Sequence, residues 1–321
     1  SKAASEDDFR YVYCGGDDGD SYYDITGYNG NAEEVIIPST YEGIPVREID
    51  YAAFENCSNL KSVVIPASVI YIGSFAFKGC DLEKITVDAD NPKYYSEGNC
   101  LIERSSGTLI QGCNTSMIPN TVTSIGGGAF IGCKSLVSIT IPDTVTSIGE
   151  GAFTGCKSLV SITIPDSVTI IARNLFSDCE SLESITIPDT VTSIGEGAFS
   201  DCESLESITI PDTVSSIKKS TFKNCKKLLK IEIPKSVTMI ETGSRYSSDY
   251  SYVNHPFVGC DSLTNVIVAA DNPFYYVKDN CLITKQDNIL VLGWKGAVIS
   301  DEVTSIAPGA FYGCSSLESI I

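Results

Sequence analysis

The stretch GAFTGCKSL, residues 151–159, decides the fold of this chain. It returns as GAFIGCKSL from residue 128, GAFSDCESL from residue 197 and GAFYGCSSL from residue 309. The constant features are a phenylalanine three residues before a cysteine and a leucine three residues after it. Either the cysteine carries out chemistry at every copy, or the three side chains fill the same place in the structure at every copy.

The copies form a tandem repeat. From Phe130 to Phe222 the spacing is an unbroken 23 residues, and a unit this short must stack on its neighbours to bury a core. The Phe-x-x-Cys pattern occurs nine times, at Phe54, Phe77, Phe130, Phe153, Phe176, Phe199, Phe222, Phe257 and Phe311.

Each unit predicts two short strands and a turn. Leu182, Ile185 and Ile187 alternate with polar residues and end at a proline, as a strand with one buried side does. A second apolar pair, Val191 and Ile194, follows the next turn. The glycines after that pair leave no room for a long helix, so we expect a tight turn there.

The pattern L-x-x-I-x-I-P followed by V-x-x-I-x-x-x-A-F-x-x-C resembles the BspA-like leucine-rich repeat, common in surface proteins of gut and oral bacteria. The resemblance runs from about Val35 to Ile321. It implies a repeat solenoid of about 23 residues per coil, mostly short β-strands and turns with little helix. Residues 1–50 resemble the N-terminal capping coil of that family. The chain stops in mid-strand, so we expect one solenoid over 1–321 without a C-terminal cap.

Two breaks in the period match each other. The segments DADNPKYYSEGNCLIERSSGTLIQGC, from Asp88, and AADNPFYYVKDNCLITKQDNILVLGW, from Ala269, each add about 30 residues to the regular spacing. Their Asn-Pro turns and following apolar runs predict hairpin-type inserts at 88–118 and 269–298. In BspA-like proteins such an insert belongs to the scaffold.

A third break places a Tyr- and Ser-rich loop, ETGSRYSSDYSYVNH, at 241–255. This composition is typical of adaptable recognition loops, although solenoids also tolerate surface insertions. The regular strands present mainly serine and threonine outward and lack the aromatic anchors of tight interfaces. We therefore assign candidate ligand contacts to the irregular segments: Arg245, Tyr246, Tyr250, Tyr252, His255, Tyr94, Tyr95, Tyr275, Tyr276 and Trp294.

The cysteines are expected to be core residues. Nine of the thirteen are the repeat cysteine, and no two are spaced as in a C-x₂-C zinc motif. Stacked coils could still bring thiols together, but cysteines one coil apart have parallel Cβ vectors, which disfavours disulfides. A small apolar side chain suits a tight turn between an inward phenylalanine and an inward leucine. The sequence therefore predicts a core ladder and no metal site.

Catalytic motifs are missing from the sequence. His255 is the only histidine, and there is no G-x-S-x-G, H-E-x-x-H or Walker sequence, so no catalytic residue or cofactor is assigned. The acidic run DDGDSYYD, residues 17–24, does not fit an EF-hand loop and is read as a hydrophilic turn in preference to a calcium site.

Charge excludes several partners. Asp and Glu outnumber Lys and Arg by 41 to 22, giving a net charge of −19, which repels nucleic acid and anionic lipid. No apolar run spans a bilayer, and SKAASEDDF at the start has no signal-peptide h-region, so membrane insertion by this segment is not expected and an export signal is not present in it.

These observations, with the resemblance, predict a non-catalytic binding or adhesion module of a secreted or cell-surface bacterial protein. Its partner would be a protein or glycan on a host or bacterial surface. A passive spacer that presents another domain is the alternative, and a hydrolytic enzyme is disfavoured.

Overall fold

The computed structural model describes residues 4–15, 20–242, 254–312 and 314. The chain divides into two compact units, Ser1–Lys157 and Ser158–Ile321, named here unit 1 and unit 2. Both consist of short strands and turns, and the 3₁₀ turn Glu6–Asp8 is the one helical element among the described residues. The predicted strand-and-turn repeat fold is therefore confirmed.

The described residues of unit 1 form thirteen strands: β1 Phe9–Cys14, β2 Tyr22–Tyr28, β3 Glu34–Ile36, β4 Thr40–Tyr41, β5 Ile44–Ile49, β6 Ser62–Ile65, β7 Tyr71–Ile72, β8 Lys84–Val87, β9 Tyr94–Glu97, β10 Cys100–Glu103, β11 Thr108–Gln111, β12 Ser124–Ile125 and β13 Ser147–Ile148.

Those of unit 2 form thirteen more: β14 Ser161–Thr163, β15 Ile170–Ile171, β16 Ser184–Thr186, β17 Ser193–Ile194, β18 Ser207–Ile208, β19 Ser216–Ile217, β20 Lys230–Ile233, β21 Met239–Ile240, β22 Asn265–Val268, β23 Tyr275–Lys278, β24 Cys281–Thr284, β25 Ile289–Gly293 and β26 Ser305–Ile306.

Each regular coil contributes one strand to each of two parallel rows. In unit 2, β14 pairs with β16 so that Ile162 lies beside Ile185, and β15 pairs with β17 so that Ile171 lies beside Ile194. The partners are 23 residues apart, so one repeat is one coil. The isoleucines are buried, whereas the serines and threonines between them face outward.

The phenylalanines of successive coils stack through the core. In unit 2 the rings of Phe199 and Phe222 lie 5.8 Å apart at an interplanar angle of 5°, and those of Phe222 and Phe257 lie 5.6 Å apart. In unit 1 the rings of Phe130 and Phe153 are 5.0 Å apart. Truncating one such ring to alanine costs about 3–5 kcal/mol, so each contributes substantially to the core.

A buried hydrogen bond explains why the repeat keeps its cysteine. Its thiol donates a hydrogen bond to the phenylalanine carbonyl of the preceding coil: the Sγ–O distances are 3.1 Å from Cys202 to Phe176 and 3.2 Å from Cys225 to Phe199. In unit 1, Cys80 makes the same bond to the Phe54 carbonyl at 3.0 Å. All thirteen cysteines lie within the described residues and are free thiols. The trio of Phe, Cys and Leu is therefore a core ladder held by buried hydrogen bonds.

The residue before the cysteine has a left-handed backbone. The φ angle is +74° at Gly155, +61° at Asp201 and +56° at Asn224. Glycine, aspartate and asparagine are the residues that adopt this conformation at low cost, which is why the repeat alternates among these three. This residue turns the chain from the phenylalanine back toward the leucine.

The predicted capping coil of unit 1 forms a sheet with the strand order β1–β2–β5–β4, in which β1 and β2 are antiparallel. Phe9 and Tyr28 from this sheet are buried against the first repeat phenylalanine, with ring centroids 6.3 and 5.2 Å from that of Phe54. Two aromatic rings thus cover the end of the phenylalanine stack in unit 1.

Both inserts fold as antiparallel strands. In unit 1, β10 pairs with β9 and β11, and in unit 2, β24 pairs with β23 and β25.

A buried asparagine anchors each insert. The side-chain amide of Asn272 donates to the carbonyls of Pro234 and Val237 at 2.8 and 3.1 Å, and its oxygen accepts the N–H groups of Phe274 and Tyr275. Asn91 makes the equivalent four bonds in unit 1.

Candidate functional site

Unit 2 carries a groove where the outward face of the sheet β18–β20–β22 meets the second insert. Two adjoining cavities form it, with volumes of about 510 and 340 Å³, and both are lined by Ile267 and Ala269. Volumes of this size fall in the range of about 300–1,000 Å³ that is usual for ligand sites. This feature, the unit 2 groove, is the candidate site.

The larger cavity has an acidic wall. Glu232 lies directly beside Ile267 in the sheet because β20 and β22 are in parallel register. Asp189 and Asp212 reach the same cavity from two successive Pro-Asp-Thr turns. Glu232 pairs with Lys230 at 2.6 Å, whereas both aspartates are exposed at the rim. Two negative charges therefore remain available to a ligand.

The smaller cavity has an apolar wall. It lies between β22 and β23 and is lined by Ile267, Tyr276 and Val277, with Lys285 at its edge. Ile267 and Val277 are 39% and 37% exposed. Both line the same cavity, so together they give it an exposed aliphatic wall, as interaction sites have.

The first insert has polar residues at the matching positions. Thr86 and Ser96 in unit 1 correspond to Ile267 and Val277 in unit 2, because the two insert sequences align residue by residue. The Ser96 hydroxyl accepts a hydrogen bond from the backbone N–H of Val87 at 3.0 Å, which ties β9 to β8. These two positions of the insert scaffold are therefore polar in unit 1 and apolar in unit 2.

His255, predicted as a ligand contact, is a scaffold residue. Its side chain is 1% exposed, its Nε2 lies 2.9 Å from the carbonyl oxygen of Val291, and its Nδ1 accepts the N–H of Phe257 at 3.3 Å. Burial lowers the pKa of His255 to about 4. The imidazole is thus neutral and fully engaged, and it does not reach the surface.

Tyr94, Tyr275 and Trp294 are also buried. The hydroxyl of Tyr275 accepts the backbone N–H of Ile240 at 3.0 Å, so this tyrosine joins the insert to the preceding coil. The indole N–H of Trp294 has no hydrogen-bond partner among the described residues. Burial removes these three rings from the exposed surface, which makes them supports of the inserts.

Tyr95 and Tyr276 are half-buried and reach the surface. Tyr95 lies under the guanidinium of Arg104, 5.3 Å from the ring centroid. Tyr276 lines the unit 2 groove, with Tyr275 beneath it. The structure therefore brings two of the predicted residues into one site, and Tyr95 lies in the other unit. The remaining candidates, Arg245, Tyr246, Tyr250 and Tyr252, lie outside the described residues.

Sequence reasoning did not select Ile267, Val277, Asp189 or Asp212. A residue-by-residue comparison of the two inserts carries the signal for the first two, because it shows threonine and serine replaced by isoleucine and valine at outward positions. An aspartate follows the proline in four consecutive coils, at Asp143, Asp166, Asp189 and Asp212, so sequence context does not distinguish the last two. Asp189 and Asp212 line a groove because the sheet β18–β20–β22 lies next to the second insert.

Among the described residues, no three His, Cys, Asp or Glu side chains gather as metal ligands do. In the same residues, no helix has the length and apolar character needed to cross a bilayer.

Comparison with known proteins establishes the family. The family model described as the BspA type leucine rich repeat region matches six copies, at residues 26–101, 110–187, 152–269 and 293–321, which together exceed half of the chain. The chain belongs to the BspA-type leucine-rich-repeat family. The resemblance seen in the repeat pattern is thereby confirmed. A separate comparison with curated proteins gives no match.

Two solved structures agree with this BspA-type fold, and a third is similar in sequence. The pneumococcal vaccine antigen PcpA is 20% identical, with 75% of this chain and 69% of that chain covered and a TM-score of 0.56. A leucine-rich repeat protein from Bacteroides ovatus is 25% identical, with 96% and 79% covered and a TM-score of 0.50. A leucine rich cell surface protein from Faecalibacterium prausnitzii is 27% identical over 100% of this chain, at a TM-score of 0.43.

Proposed function

We propose that this BspA-type chain is a non-catalytic binding or adhesion module of a secreted or cell-surface bacterial protein, and that it recognises a protein or glycan at a host or bacterial surface. The observation that carries the proposal is the unit 2 groove, where the exposed side chains of Ile267 and Val277 lie beside the carboxylates of Asp189 and Asp212, which are unpaired among the described residues. Apolar side chains that line a groove rimmed by polar residues mark interaction sites, which supports a binding role.

The chemistry of the chain supports a binding role over catalysis. A serine or cysteine nucleophile with a histidine base would have to use His255, and both ring nitrogens of His255 are engaged by the backbone. Burial raises the pKa of the Cys202 and Cys225 thiols, which disfavours the reactive thiolate. The groove thus offers contact area and charge, while His255 and these two thiols are buried in the core.

A passive spacer is the alternative function. A spacer needs only the stacked coils, and the small hydroxyl side chains of the regular strands suit that role. It gives no reason for replacing the Thr86 and Ser96 equivalents by Ile267 and Val277. The two functions therefore differ in whether these two side chains affect binding.

The test is binding of the whole chain to a panel of host extracellular-matrix proteins and glycans. The variant Ile267→Thr with Val277→Ser gives unit 2 the residues of unit 1. The control Leu229→Thr removes an apolar side chain that is 51% exposed outside the groove. We expect selective binding that the double variant weakens at least tenfold and the control leaves unchanged. Binding to no member of the panel, or equal binding by all three proteins, would favour the spacer.

The loop at 241–255 remains a second proposed contact region. Trimming it to the regular repeat length, with His255 retained because it is part of the core, separates its contribution from that of the groove. Loss of binding on trimming, with the groove intact, would assign recognition to the loop.

A further inference from the structure

We infer that the unit 2 groove takes an extended polypeptide segment of its partner, with a lysine or arginine over Asp189 and Asp212 and an apolar side chain against Ile267 and Val277. This inference rests on the proposed binding function and names its ligand class. The two contacts are adjacent because Ile267 and Ala269 line both the acidic and the apolar cavity.

A backbone donor faces the apolar cavity. The N–H of Ala269 donates to the carbonyl of Ile233 at 3.0 Å, toward β20. Successive N–H groups of a strand point in opposite directions, so that of Val268 points toward the insert. In unit 1 the equivalent N–H, of Val87, donates to the Ser96 hydroxyl at 3.0 Å.

Val277 leaves that donor available. It occupies the position of Ser96, and a valine side chain has no acceptor to offer. Backbone N–H groups are strong donors that require a partner when covered. A ligand lying along β22 would have to supply a carbonyl at this point, which is how an extended peptide binds to the edge of a sheet.

The acidic cavity selects the charge of the ligand. In the described part of unit 2, neither Asp189 nor Asp212 pairs with a basic side chain, whereas Glu232 is paired with Lys230. The whole chain carries a net charge of −19, which attracts cations and repels acidic partners during approach. A lysine or arginine side chain complements both the local and the overall charge.

The apolar wall favours a peptide over a glycan. Ile267 and Val277 are branched aliphatic side chains, and they bury apolar surface when another apolar side chain covers them. An acidic glycan would also be repelled by the unpaired carboxylates of Asp189 and Asp212. A peptide that alternates a basic and an apolar residue satisfies the carboxylates, the backbone donor and the aliphatic wall together.

The experiment uses the whole chain and an array of random peptides of about nine residues, roughly one strand in length. Four sets carry Lys, Arg, Gln or Glu at the central position. We expect the Lys and Arg sets to bind at least tenfold more strongly than the Glu set, and binding to weaken with added salt. No preference for the basic sets would overturn the inference.

A double variant and a matched control test whether Asp189 and Asp212 contact the basic side chain of the peptide. Asp189→Asn with Asp212→Asn should abolish the preference for basic peptides and reduce its salt dependence. Asp166→Asn is the control, because Asp166 is the exposed aspartate of a regular Pro-Asp turn outside the groove. Equal behaviour of the double variant and this control would show that the groove does not select the charge.

A second pair tests the backbone donor. Val277→Ala and Val277→Ser remove similar apolar surface, but the serine supplies the acceptor that Ser96 supplies in unit 1. We expect the serine variant to bind peptides several-fold more weakly than the alanine variant. Equal binding by these two variants would exclude the Val268 N–H as a ligand contact.

The outcomes also separate this inference from the proposed function. If the groove variants change binding to glycans in the surface panel while no peptide set binds, the module is a binding module and the peptide assignment is wrong. If they change no binding in either assay, the proposed site itself is wrong.

Discussion

Acid should destabilise unit 2 through His255. The carbonyl of Val291 lies 2.9 Å from Nε2, and the N–H of Phe257 lies 3.3 Å from Nδ1. The neutral tautomer with its proton on Nε2 satisfies both contacts. Protonation adds a second proton on Nδ1, where it faces the Phe257 N–H, and leaves a charge in a buried site. Burial therefore lowers the pKa of His255 from 6.5 to about 4.

The direction and size of the effect follow from this pKa. Since the pKa of the folded state lies below that of the unfolded state, the stability contributed by neutral His255 is complete above pH 6.5 and is lost as the pH falls to about 4. At about 1.4 kcal/mol per pH unit, that shift is equivalent to a loss of about 3 kcal/mol in the free energy of unfolding. The loss is a large part of the stability of an ordinary domain.

Urea unfolding followed by tryptophan fluorescence measures this loss. Trp294 is the only tryptophan, it is buried, and it lies three residues after Val291 in unit 2. The matched variant is His255→Gln, whose amide keeps a donor for Val291 and an acceptor for Phe257 but does not titrate. Between about pH 7 and pH 4, the wild type should lose about 3 kcal/mol more than the variant.

The difference between the wild type and His255→Gln isolates the effect of the imidazole. Carboxylates titrate in the same range, but they are common to both proteins and their effect cancels in the difference. If the wild type and His255→Gln lose the same free energy on acidification, then the folded chain accommodates the imidazolium, and the hydrogen-bond assignment of His255 is wrong.

Three further predictions concern the scaffold. Under native conditions Cys202 should resist a thiol reagent, because burial raises its pKa. Half-buried Cys57, whose pKa is lowered beside Cys80, should react first among the repeat cysteines. Mass spectrometry of labelled peptides checks this order. Asn272→Ala removes four hydrogen bonds and should cost about 2–4 kcal/mol in the Trp294-monitored unfolding transition. Gly155→Ala should cost about 1 kcal/mol in thermal unfolding, since its φ is +74° and its added Cβ meets only ordinary contacts.

The fold could be predicted from the sequence because one repeat is one coil. Periodic placement of Ile162, Ile185 and Phe199 fixes which side chains face the core, and stacking follows from the short unit. The hydrogen bond from the Cys202 thiol to the Phe176 carbonyl could not be predicted, because it joins two coils and depends on how far apart they stack.

The candidate site was predicted less well, for an identifiable reason. Loop composition suggested that His255 is exposed, but His255 stands two residues before Phe257, the position that Gly197 holds before Phe199. It therefore belongs to the turn of the next coil and returns to the core. The sequence pattern selects Tyr276 because it lies in an irregular segment, whereas Ile267 lies on the strand β22 and is not selected.

The two inserts separate what the scaffold requires from what a ligand requires. Asn91 and Asn272 occupy equivalent buried positions and make the same four hydrogen bonds, so folding fixes the asparagine. Half-buried Ser96 and exposed Val277 occupy equivalent positions; Ser96 accepts a hydrogen bond from Val87 of β8, Val277 has no acceptor, and the two inserts keep the same strand pairing. A substitution that weakens the scaffold and uncovers an apolar side chain is costly by itself. A partner that covers Val277 and supplies the missing acceptor offsets both costs, which is why we place recognition in unit 2.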